Sequence, residues 1–93
     1  MQPSYPDVTA NSNVSEFAKL SAEIHNIIGT RCADEEKYNE ALYNFNKAID
    51  LNPNYASAYF NRGTVRVELG DVSGARTDFI NAQKLNFESF PGQ

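Results

Sequence analysis

A lone cysteine, Cys32, is all the thiol chemistry the chain possesses. That excludes an internal disulfide and a multi-cysteine zinc site, and it fits a reducing, cytoplasmic setting. Long hydrophobic runs are also missing. Nothing approaches the roughly eighteen consecutive apolar residues of a bilayer-spanning helix, and the stretch from Met1 to Asn13 has neither a basic cluster nor an apolar core. No signal peptide, anchor or membrane partner is expected. Basic residues are outnumbered, with 8 Lys and Arg against 12 Asp and Glu and a net charge of -4. Such a chain lacks the cationic footprint that neutralises phosphates along a nucleic acid, so nucleic acid is not an expected partner. There is no Gly-rich phosphate loop, no Cys-x-x-Cys pair and no His-Glu-x-x-His helix. The expectation is therefore no enzyme, no catalytic residue, no metal and no cofactor. No segment alternates with a period of two, so helices are the expected regular element.

What is present is a chain of 93 residues, 41% apolar and 22% charged, with four prolines. This is an ordinary globular composition in a chain long enough for one small domain, without room for a large internal cavity. Residues 1–14 hold two of the prolines and read as a flexible leader. After Ser15, a candidate N-cap, apolar residues recur at Phe17, Leu20, Ile24, Ile27 and Ile28, and predict a helix from Glu16 to about Asp34. A second stripe, Tyr38, Ala41, Leu42, Phe45, Ala48 and Ile49, predicts a helix ending at Leu51, ahead of Asn52-Pro53. A third helix spans about Tyr55 to Leu69 and stops at Gly70, suited to a left-handed backbone. Asp71 then caps a fourth, from Val72 to about Leu85. Asp34, Glu35 and Glu36 read as a solvated acidic turn.

Laid on itself with a shift of 34 residues, the chain brings Gly29 onto Gly63, Tyr38 onto Val72 and Ala41 onto Ala75. Phe45 falls on Phe79, Ala48 on Ala82 and Leu51 on Leu85. The period, the glycine in the first helix of each pair and the A-x3-F pattern in the second resemble the tetratricopeptide repeat family. The resemblance covers roughly residues 22–87. It implies an all-α fold of two stacked antiparallel helix-turn-helix hairpins, a short α-solenoid, with residues 15–53 as the first hairpin, 54–87 as the second and 88–93 as a tail. Small residues let paired helices approach, and Phe45 and Phe79 fill the space between them, each burial contributing about 1.5–3 kcal/mol. Departures from the pattern are His25 and Cys32 in the first helix, where an aromatic or leucine is usual, and Arg66 in the third. The first hairpin is accordingly expected to be the less well filled. Pro53 becomes Phe87 in the second copy, while Leu42 and Ile49 become Arg76 and Gln83. Both changes are expected of an array that closes after two repeats.

The resemblance also implies function as a protein-binding adaptor, since the first helices of such hairpins line a concave groove that takes extended peptides or helices. The corresponding positions are Glu23, Asn26, Thr30 and Ala33 on the first helix, and Ser57, Phe60, Asn61, Thr64 and Val67 on the third. Asn61 matches an asparagine that helps hold a peptide's terminal carboxylate in one subset of the family. The lysine and asparagine that complete that clamp are Asn26 and Thr30 here, so the clamp is incomplete. The alternative is a homodimer joined through Phe17, Leu20 and Ile24, because the first helix carries more apolar surface than one following helix covers. In a monomer, Phe17 and Leu20 would need to pack on Leu51 and Tyr55. His25 and Cys32 lie two turns apart, about 10 Å, against the roughly 3 Å that nucleophile activation needs, so both are expected to face the core.

Overall fold

The computed structural model describes residues 14–88, and among them every regular element is a helix. These are α1 (Val14–Asp34), α2 (Tyr38–Leu51), α3 (Ala56–Glu68) and α4 (Val72–Glu88). The leader and tail assignments fall almost wholly outside the described residues. Ser15 lies inside α1, not at its cap. Tyr55 and Leu69, expected as the ends of α3, flank it instead. The fourth helix outruns its expected end at Leu85 because Phe87, unlike Pro53, keeps its backbone N–H.

Both hairpin turns use the same device at matched positions. In the first, the Lys37 N–H donates to the Cys32 carbonyl at 2.8 Å and the Glu36 N–H to that of Ala33 at 2.9 Å. In the second, Asp71 donates to Arg66 at 2.8 Å and Gly70 to Val67 at 3.0 Å. These paired bonds satisfy carbonyls that the helix end leaves open, and they require one left-handed residue. Gly70 fills that position with φ 86°, whereas the first turn forces Glu36 to φ 62°.

Each helix packs against its neighbour in sequence, and α3 also touches α1. The contacts run in opposite directions between successive helices, so α1 and α3 are parallel. Two core clusters result. Cys32, Ala41, Phe45 and Val65 form one, with Ala33, Tyr38 and Leu42 packed around it. Ala22, Ala48 and Ala58 form the other, supported by Ile49 and Tyr55. Three alanines meeting there let three helix backbones close on one another, where longer side chains would hold them apart.

The two glycines occupy equivalent surroundings. A Cβ on Gly29 would stand 2.6 Å from the Phe45 ring, and one on Gly63 would stand 2.7 Å from the Phe79 ring. The filling of the two hairpins, however, is the reverse of the expectation. Phe45 is 1% exposed because Val65 of the second hairpin closes over it, while Phe79 stays half-buried among the described residues. Leu42 and Ile49 pack toward α3, whereas Arg76 and Gln83 at the matched sites are exposed.

Candidate protein-binding groove

The groove positions divide into residues that tie α1 to α3 and residues that stay open. Asn26 is 8% exposed. Its amide donates to the Tyr55 hydroxyl at 3.2 Å and to the Ser57 hydroxyl at 3.3 Å, and its carbonyl oxygen accepts from Asn61 at 3.0 Å. The side chain is thereby saturated in both donors and one acceptor, which offsets the cost of burying an amide. Asn26 is thus a latch between the first helices of the two hairpins. Asn61 is spent on the same latch, and the terminal-carboxylate role loses a third member.

Thr30 and Thr64 donate back to the carbonyls of Asn26 and Phe60 at 2.9 and 3.1 Å. Both stay exposed, as do Glu23 and Ser57, while Ala33 is half-covered. The apolar part of the strip is Phe60, 55% exposed, and Val67, 49% exposed, two turns apart on one face of α3. Phe60 also meets the Phe79 ring at 5.4 Å between centroids, so its base is anchored while its outer face is open.

The family model described as "TPR repeat" matches residues 29–70. RNA polymerase II-associated protein 3 of Xenopus tropicalis is 42% identical over 55 residues, covering 59% of this chain and 8% of that protein. Tetratricopeptide repeat protein 36 of Mus musculus is 43% identical over 58 residues, covering 62% of this chain and 31% of that one. The chain therefore spans less than a third of either relative's length. Residues 29–70 thus carry the sequence pattern of tetratricopeptide repeats, within a fold of two stacked helical hairpins. No solved structure gives a match of comparable strength.

The first hairpin presents a further face. Phe17 is 69% exposed, and Leu20, Ile24, Ile27 and Ile28 are exposed beside it. Packing of Phe17 and Leu20 on Leu51 and Tyr55 does not cover them. The physical reason is helical: this stripe lies roughly opposite Ala22 and Gly29, which face the hairpin interior.

The second repeat is held by a charged cluster that spans three helices. Asp78, with no exposed surface, accepts from Arg62 at 3.0 and 2.8 Å and from Arg66 at 2.9 Å. Arg62 also donates to Asn46 of α2 at 2.8 Å, and Arg66 lies 3.6 Å from Asp71. From the sequence, Arg66 stood out only as a departure from the repeat pattern. The signal was available in the repeat, because Ile28, Cys32 and Asn44 are replaced together by Arg62, Arg66 and Asp78.

His25 and Cys32 do not meet as a reacting pair. The imidazole Nδ1 is 3.0 Å from the Asn44 side-chain oxygen, and the Cys32 thiol lies 3.8 Å from Glu40. Burial, followed by the charge of Glu40, pushes the Cys32 thiol upward, which lowers its thiolate fraction at neutral pH. No group of three or more His, Cys, Asp or Glu among the described residues is arranged to hold a metal ion, and none of their helices is long and apolar enough to cross a membrane. A shallow depression of about 240 Å³, lined by Pro53, Tyr59, Asn81, Lys84 and Leu85, is too small and open to enclose a substrate.

Proposed function

We propose that the chain is a non-enzymatic adaptor of the reducing cytoplasm that captures a segment of another protein along the strip bounded by Glu23 and Thr30 on α1 and by Ser57, Phe60, Thr64 and Val67 on α3. The observation that carries this reading is the division of labour within the strip. Asn26, Ser57 and Asn61 hold the two helices in register, while Phe60 and Val67 are left open beside that latch. A surface fixed before it binds loses less conformational freedom on association. An aromatic anchored at its base and exposed at its tip is the usual source of binding energy at such a site. A relative named for its association with RNA polymerase II supports a role in binding other proteins.

The test is a pull-down with mass spectrometry comparing the full chain with Phe60→Ala/Val67→Ser. Specific partners are expected to be lost with the variant, and equal recovery would remove the groove assignment.

A second reading has its own support in the face of Phe17, Leu20, Ile24, Ile27 and Ile28. Five large apolar side chains exposed along one face form a contiguous patch of the kind that marks interaction sites. A second copy of the chain covers it by packing α1 against α1 in antiparallel fashion. Glu16 and Arg31 stand in the first and last turns of α1, so this arrangement brings the acid of one copy to the base of the other. Light scattering is then expected to give twice the 10.4 kDa chain mass, reduced to the single mass by Phe17→Asp/Leu20→Asp. A single mass at every concentration would exclude self-association.

A further inference from the structure

Resting on the groove reading, the charge around the strip narrows the chemistry of its occupant. Because α1 and α3 run parallel, both of their C-termini, each the negative end of a helix dipole, lie at one end of the strip. The same end carries Asp34, immediately after Ala33, and Glu68, immediately after Val67, with Glu36 in the adjoining turn. All three are exposed. Their field reaches a neighbour: burial, then the charges of Glu68 and Glu36, push the Tyr38 hydroxyl upward.

Two of the nearby cations are committed to other partners. Lys37 pairs with Glu35 at 3.2 Å. Arg66 is held by Asp78 and Asp71. Arg31, in the last turn of α1, is turned about 100° from Thr30 toward the isoleucine-bearing side and offsets part of the acid at this end. The strip therefore combines two open apolar anchors with an acidic end, and none of the positions that line it is basic.

We propose that the groove binds a segment of another protein whose apolar side chains rest on Phe60 and Val67 and whose lysines or arginines sit at the Asp34, Glu36 and Glu68 end. A segment ending in acidic residues meets like charge there and is rejected. The occupant is oriented, because the acids are concentrated at one end of the strip, with Glu23 alone toward the other. Neutralising the acidic end lowers affinity for a basic segment about tenfold, and the attraction weakens as salt rises.

A phage-displayed library of random peptides tests this on the full chain, on Asp34→Asn/Glu36→Gln/Glu68→Gln and on Phe60→Ala/Val67→Ser, each first checked for native helicity. On the unaltered chain the enriched peptides are expected to combine Leu or aromatic residues with Lys or Arg. Selection on the neutralised variant is expected to keep the apolar preference and lose the basic one. Enrichment of acidic or uncharged peptides on the unaltered chain, or a basic preference surviving neutralisation, would overturn the charge proposal while leaving the groove intact. Enrichment unaffected by Phe60→Ala/Val67→Ser, or none on any protein, would overturn the groove as well. Amide shifts of the isotope-labelled full chain with one enriched peptide give an independent location, expected at residues 60–68 and 30–36; shifts confined to α4 would also overturn it.

Discussion

In the first hairpin Phe45 is sealed between Gly29 and Val65, while the turn beneath it is poor: Glu36 is held in a left-handed conformation and no side chain caps α2. In the second hairpin the turn is well suited to its task. Gly70 takes the left-handed position, and the Asp71 carboxylate accepts from the Gly74 N–H at 2.9 Å. Its aromatic, however, is only half-buried, and a charged cluster around Asp78 does the joining. One backbone design is thus held closed in two ways, by packing in one copy and by turn chemistry with ion pairing in the other. Neither copy combines a favourable turn with a sealed core, which teaches that the repeat specifies geometry more tightly than it specifies the forces that maintain it.

The largest effect separating the copies is expected at the two phenylalanines. Phe45→Ala should destabilise by about 3–5 kcal/mol, while Phe79→Ala should cost roughly half as much because its ring is already partly in water. Urea unfolding followed by circular dichroism measures both, and equal losses would erase the contrast in packing. Next comes the charged cluster. Asp78→Ala leaves Arg62 and Arg66 without their shared carboxylate and is expected to cost about 2–3 kcal/mol, somewhat less than for a fully enclosed pair since both guanidinium groups reach solvent. Asn44→Ala, at the matched site of the first repeat, should cost about 1 kcal/mol. A larger loss at Asn44 than at Asp78 would show that ion pairing does not distinguish the copies.

The glycines sharpen the comparison at a finer level. Gly29→Ala drives a methyl group into a fully enclosed ring and is expected to cost about 2–3 kcal/mol; Gly63→Ala should cost about 1 kcal/mol, because the Phe79 ring can shift toward solvent. The smallest change has the opposite sign. Glu36→Gly should raise stability by about 0.5–1 kcal/mol by relieving the left-handed strain, read as a higher melting temperature. A lower melting temperature would mean that Glu36 contributes more through its carboxylate than its backbone costs.

The fold was legible because its signals are local. Apolar spacing marked the four helices, Asn52-Pro53 and Gly70 marked their ends, and the match of Gly29 with Gly63 marked the duplication. The end of α4 was misjudged, since the absence of a proline at residue 87 lets a helix continue without saying where it stops. The filling of the hairpins was misjudged for a different reason. His25 and Cys32 looked like weak core residues within their own repeat, but Phe45 is closed by Val65, which belongs to the next one. The candidate groove was half legible. Its positions followed from the family resemblance, whereas the use of Asn26, Ser57 and Asn61 as a latch depends on atoms contributed by separate hairpins.

The sequence by itself determined the helical class, the duplication and the absence of excess positive charge, because these follow from composition and from regular spacing along one chain. Only the tertiary structure decided which polar groups are free to meet a partner. Asn26 and Asn61 are 35 residues apart, and Arg62 and Asp78 are 16 apart. Whether such groups face water or each other is set by the rotation of whole helices about their axes, which packing fixes and spacing does not.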